Sequence, residues 1–294
     1  MIATVKAFLT ASMLVCFTQH VLAGPEKPNV IWRITNWEPY YILNGPLAGQ
    51  GVYDKMIAEF QKALPVFSHT RVVMTTQRAL QQMKDGRKDV AVCHVSMLQS
   101  SITGFAYVSH ITSILLPHVI FAWSNVAPKI RSKFGDEEGY VSIEQLMLSG
   151  EFRGAHSSLG THEVLSKYQY VPDPLPNVSI TAEDYGMLGR LFVNRRVDYI
   201  VQYEPFRDTL IQAGAAEDGF EVIKIKETKG LYVPVYAGCT RNAVGMQIIA
   251  AINRVLERNP KVLRDARMQG LTDAQKEALV HIFEKEAPQL LVGE

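Results

Sequence analysis

Residues 32–54 read W-R-I-T-N-W-E-P-Y-Y-I-L-N-G-P-L-A-G-Q-G-V-Y-D. An apolar strand over 30–34 runs into an aromatic-rich loop that ends in Gly49 and Gly51, and an amphipathic helix follows. In an open α/β sheet, ligands gather where such a loop leaves the carboxyl end of a strand. Trp37, Tyr40 and Tyr41 offer flat faces to a small molecule. The plainer alternative is that they only cover the sheet, since strand–loop–helix units are common.

Outward from this unit the elements alternate. Apolar residues at 52, 56, 57, 60, 63 and 64 have helical spacing, and Pro65 stops the helix. Residues 71–74 read as a strand and 79–84 as a short helix closed by Asp85-Gly86. Residues 89–95, D-V-A-V-C-H-V, form a nearly continuous apolar run, as in a strand buried on both faces. Strand, helix, strand, helix, strand predicts a parallel sheet with right-handed crossovers. The run 109–123 is extended and β-rich with Pro117 inside it, and Pro suits a crossing between lobes better than a central strand.

The alternation then repeats. Ser142 caps a helix that Gly150 ends. Residues 152–156, 178–180 and 197–201 read as strands and 183–194 as a helix. The hydroxyl-rich turn Ser157-Ser158-Leu159-Gly160-Thr161 leads into a helix over 162–168; such a start binds anions or serves as an ordinary cap. Strands at 221–225 and 232–237 follow, the second returning to the first lobe. Asn242 then caps a helix over 244–258, and Pro260 and Thr272 begin two more.

Residues 1–23 have one charge, Lys6, and a long apolar run ending Val21-Leu22-Ala23, which predicts a signal peptide cleaved after Ala23 and a periplasmic protein. A membrane anchor is the alternative, but the run is short of the ~20 residues a span needs. Cys16 follows Val15, not the small residue a lipoprotein signal requires. Without Lys6 the formal charge falls from +1 to zero, so no basic excess serves nucleic acid or an anionic membrane. An apolar share of 47% and the length suit two lobes of ordinary size. Cys93 and Cys239 remain, either as one bridge or as two buried thiols.

This order resembles the extracytoplasmic solute-binding proteins of family 3, the amino-acid-binding proteins of the periplasm. Four stretches carry the resemblance: W-E-P-Y (37–40) with Gly51 and Asp54, G-R-K-D-V-A-V (86–92), S-S-L-G-T (157–161) and L-F-V-N-R-R-V-D-Y-I-V (191–201). It covers nearly the whole chain after the leader. The resemblance implies an α/β, two-lobed type II periplasmic-binding-protein fold with a ligand cleft between lobes that close by a hinge. It divides the chain into 24–117 and 231–294 for lobe 1 and 118–230 for lobe 2. It implies an ABC transporter permease or a membrane sensor as partner, a monomer, and no cofactor or metal. The candidate ligand-binding residues are Trp37, Glu38, Tyr40, His94, Ser96, Ser158, Gly160, Thr161, Tyr203 and Glu204.

The departures bear on the ligand. The family places an Arg for the ligand carboxylate at the position of Ser101, and residues 95–109 contain neither Arg nor Lys. The family's acid for the ammonium is Tyr203 here, with Glu204 adjacent. This points away from a free α-amino acid held in the usual way, toward a neutral or differently charged solute, such as one with a ring to stack on Trp37 or Tyr40. The resemblance also puts Cys93 near the cleft end of one strand and Cys239 near the far end of its neighbour, which argues against a bridge.

Three function classes follow. A solute-binding protein needs no catalytic group and is the preferred reading. A lyase resembling the cyclohexadienyl dehydratases would need Glu38 or Glu204 as a poised acid. Metal capture would use His94, His110, His118, His156 and His162, but their spacing is that of scattered structural histidines.

Overall fold

A computed structural model of the chain describes residues 27–97, 104–157, 177–181, 185–258, 268, 273–286 and 288. Lobe 1 is built on a five-stranded sheet. Its strands are β1 (Asn29–Ile34), β2 (Ser68–Val73), β3 (Val90–Met97), β4 (Ala106–Leu115) and β10 (Val233–Thr240), in the order β2-β1-β3-β10-β4. The second sheet holds β5 (His118–Trp123), β6 (Gly154–Ser157), β7 (Val178–Thr181), β8 (Tyr199–Tyr203) and β9 (Phe220–Lys224), in the order β7-β6-β8-β5-β9.

The predicted parallel βαβ pattern holds for β1, β2 and β3, with α1 (Val52–Ala63) and α2 (Thr76–Asp85) as crossovers. The sheet is nevertheless mixed, because β10 runs antiparallel to both β3 and β4. Lobe 2 repeats the scheme: β6 is parallel to β7 and β8, while β5 is antiparallel to β8 and β9. Strands β5 and β8 are buried at every position, as central strands covered on both faces must be.

Local signals act where they were read. Ser142 accepts from the Gln145 amide at the start of the helix over 143–149, and Gly150 ends it in the left-handed region at φ 64°. Thr75 caps α2 in the same way and Gly86 closes it. Two further helices were not predicted: α3 (Ala127–Phe134) and, after α4 (Ile143–Ser149) and α5 (Tyr185–Val193), the short α6 (Phe206–Gln212). Strand β8 starts two residues later than expected, because Asp198 turns back to take the Arg153 amide and guanidinium.

The chain crosses between sheets twice. Leu116 and Pro117 separate β4 from β5, and residues 225–232, with a 3₁₀ turn at Lys226–Thr228, separate β9 from β10. The second crossing is tied to lobe 2: the Glu227 carboxylate accepts from the Ser142 hydroxyl and from the amides of Ile143 and Glu144. Two helices then pack back on lobe 1, α7 (Ala243–Arg258) and α8 (Asp273–Glu286). Asn242 caps α7 by accepting from the Gly245 amide, and its own amide group donates to the carbonyls of Arg87 and Val90.

The expectation of unbridged cysteines is corrected. Cys93 and Cys239 are direct partners across the β3–β10 pair, with Cα atoms 4.2 Å apart, and form a disulfide. The reason is stagger: the amino-terminal half of β3 lies against the carboxyl-terminal end of β10, where Thr240 also accepts from the Val92 amide.

No helix among the described residues is long and apolar enough to cross a membrane.

Candidate functional site

The loop after β1 is held at its middle and at its end by one carboxylate. Asp54, in the first turn of α1, accepts from the amides of Ile42 (2.9 Å) and Gly51 (3.2 Å) and faces the Arg71 guanidinium at 3.6 Å. Burial raises the Asp54 carboxyl above its ordinary value, against the pull of those donors and of Arg71. Gly51 has to be glycine: a Cβ there would stand 2.5 Å from the Tyr40 carbonyl. The same carbonyl accepts from the Tyr53 amide, so the loop folds tightly over the start of α1.

This folding presents Trp37 and Tyr40 to lobe 2. The Trp37 ring stacks on Tyr185, the first residue of α5, with centroids 5.0 Å apart and planes 17° from parallel. Tyr40 packs at 4.4 Å from Trp37 on the lobe 1 side. Tyr203, at the end of β8, lies 6.0 Å from Trp37 and 6.3 Å from Tyr40, and His118 stacks on Tyr203 at 3.9 Å. Trp37 and Tyr185 are only 4% and 5% exposed. The lobes therefore meet through rings, and the Trp37 face that would carry a planar solute is covered by Tyr185.

Beside this contact a cavity of about 630 Å³ opens between the lobes. One wall is the loop from Glu38 to Val52 and the other is Pro205 with the α6 residues Asp208, Thr209 and Gln212. Its volume is that of a small-molecule site. A gap of about 10 Å³ separates Tyr40 from Tyr203 and Glu204; that is about the room for one water.

The predicted site residues thus fall into groups. Trp37, Tyr40 and Tyr203 come together in the ring contact, with Glu204 at its edge and Glu38 in the cavity wall. His94 and Ser96 form a separate polar group at the end of β3. There the Ser96 amide donates to His94 Nδ1 (3.0 Å) and Thr76 Oγ1 lies 3.5 Å from His94 Nε2. Burial, and then the neighbouring Arg33, hold the His94 imidazole well below its usual pKa and so neutral. Ser158, Gly160 and Thr161 lie outside the described residues.

Sequence reasoning did not single out Tyr185, Tyr53 or the α6 side chains. The α6 signal was present: Pro205 before it, apolar Phe206 and Leu210 four apart, and Gly214 beyond its end. Of the candidate metal-binding histidines, His118 and His156 are buried in lobe 2, His94 in lobe 1, and His110 is exposed. His162 lies outside the described residues, and among those residues no cluster suits a metal ion.

No protein-family model matches the chain, and no curated protein matches it in sequence. Solved structures do share its architecture. One comes from work on glutathione import via GshT and the cystine ABC importer TcyBC of Streptococcus mutans (TM-score 0.59, 12% identity, 86% of this chain and 100% of that one). Another is a histidine kinase sensor domain with similarity to periplasmic binding proteins (TM-score 0.56, 14% identity, 88% and 97%). A third is AncCDT-1, an ancestral amino-acid-binding protein and precursor of cyclohexadienyl dehydratase (TM-score 0.52, 15% identity, 88% and 95%). The chain has the two-lobed type II periplasmic-binding-protein fold of these structures; identities this low speak for the fold alone.

Proposed function

We propose that the chain is an exported solute-binding protein that closes its two lobes on a small molecule and presents it to a membrane transporter or sensor. The observation that carries this reading is the cavity of about 630 Å³ walled by both lobes, beside a contact made of stacked rings. Ring faces can part and re-form about two connecting segments, as hinge closure requires. The leader-like residues 1–23 support export to the periplasm. The solved neighbours, an amino-acid-binding ancestor and a sensor domain among them, support a small-molecule ligand. In this reading lobe 1 comprises residues 24–117 and 231–294, lobe 2 residues 118–230, and the protein acts as a monomer without a cofactor.

The test is a thermal-shift screen of the purified protein against amino acids, peptides, amines and cyclic acids, with small-angle scattering for each hit. A bound solute raises the melting temperature by mass action and alters the radius of gyration. Trp37→Ala is expected to keep the wild-type circular dichroism and to lose most of that shift. Unchanged affinity in Trp37→Ala removes the ring contact from the site. Silence across the whole screen sinks the solute-binding reading. Turnover of a cyclic acid that disappears in Glu38→Gln puts the lyase in its place.

A further inference from the structure

The interlobe cavity has a sign. Among the described residues its walls contain two charged side chains, Glu38 from the lobe 1 loop and Asp208 from α6, and both are acids. Asn44, Gln50, Thr209 and Gln212 add neutral polar groups, and no Lys, Arg or His appears among its described lining residues. Arg207, next to Asp208, is turned to Glu217 at 3.2 Å. Asp54 and Arg71 pair with each other beneath the loop.

From these walls we infer that the solute is an organic cation without a carboxylate, an amine or guanidine held between Glu38 and Asp208; this rests on the solute-binding reading above. Ammonium and guanidinium N–H groups donate charge-assisted hydrogen bonds to carboxylates, which are the strong kind. A solute carboxylate placed in the same cavity meets two like charges and, among the described lining residues, no cation. That agrees with the stretch 95–109, where the sequence has no Arg or Lys to clamp one. Apolar side chains of Ile42, Leu47 and Val52 along the loop wall suit the aliphatic stem of such a cation. One carboxylate comes from each lobe, so the cation also draws the two lobes together, and ligand charge becomes a closing force.

Calorimetric titration of the purified protein with matched probes tests this. The probes are 1,6-diaminohexane and agmatine, the neutral 1,6-hexanediol, and 6-aminohexanoate, which adds a carboxylate to the same stem. The diamine or agmatine is expected to bind, with the diol and the amino acid at least about tenfold weaker. Glu38→Gln and Asp208→Asn are each expected to weaken the cation about tenfold or more, one lost charged contact. Raising salt from about 50 to 500 mM is expected to weaken it further. Both side chains stand at the cavity wall outside the core, and melting curves of the two variants verify that they fold. If amino acids or neutral solutes bind while no amine or guanidine does, the charge inference falls and the solute-binding reading stands. Cation binding indifferent to both substitutions overturns the inference as well. If nothing binds and scattering detects no closure with any solute, the solute-binding reading itself has failed.

Discussion

The two lobes share one architecture but are held together differently. Lobe 1 is discontinuous: its sheet takes β1 to β4 from the first half of the chain and β10 from a return 146 residues after Cys93. Lobe 2 is a continuous insertion between those pieces. The discontinuous lobe carries the disulfide and the buried Asp54 tie. The continuous one relies on ring stacking, with Trp123 on Phe192 at 4.2 Å and Phe121 against Phe206 and Phe220. Bringing β10 home closes a loop that contains a whole lobe, and the entropic cost of closure grows with loop length. A covalent link between β3 and β10 offsets that cost where it is greatest.

The comparison breaks first at the disulfide. Replacing both partners, Cys93→Ala with Cys239→Ala, is expected to destabilise the protein by about 4 kcal/mol, the scale for a link that closes so long a loop. Denaturant unfolding measures it, and a loss under about 1 kcal/mol means that the return strand is secured by packing alone. Next comes Asp54→Ala, which strands two loop amides and removes the carboxylate facing Arg71, and is expected to cost about 3 kcal/mol. The loop should then become accessible to protease while lobe 2 stays intact. Equal proteolysis of wild type and variant refutes the tie.

The same carboxylate has a pH signature. Its pKa is raised by burial, so the folded state holds the proton more tightly than the unfolded state does. The stabilisation from that proton is complete below the ordinary carboxylate value and is lost as pH rises through the raised one. His94 has the opposite sense. Its folded pKa is depressed, so its contribution is present above about 6.5 and is lost as pH falls from there. His94→Gln is expected to flatten the stability profile between about pH 6.5 and 5, by at most about 1.4 kcal/mol per pH unit for one proton. An unaltered slope means that the imidazole titrates freely. The smallest effect is expected in lobe 2. Arg153 is more than half exposed, so Arg153→Ala should leave the unfolding midpoint where it is. A clear drop makes surface ion pairs a second means of holding lobe 2.

What could be read from the chain follows a physical line. Caps at Ser142 and Asn242, stops at Gly86 and Gly150, and the buried run of β3 depend on residues a few positions apart. Pro117 belongs with them: lacking an amide hydrogen, it marks the gap between β4 and β5, and so between sheets. The aromatic loop and its glycines were legible as the loop between β1 and α1, but the residue that covers Trp37 was not. Tyr185 is remote in sequence, and its position depends on how the lobes meet.

By itself, then, the sequence determined the alternation of elements, the two α/β lobes and the absence of a basic clamp from 95–109, because each depends on local pattern or composition. Only the tertiary structure decided the Cys93–Cys239 bridge, the hold of Asp54 on the middle and end of the loop, and the meeting of Glu38 with Asp208 across one cavity. Those depend on strand stagger and on the packing of segments far apart in the chain. Side-chain period records which face of a strand is buried, but not which residue of a distant strand lies opposite.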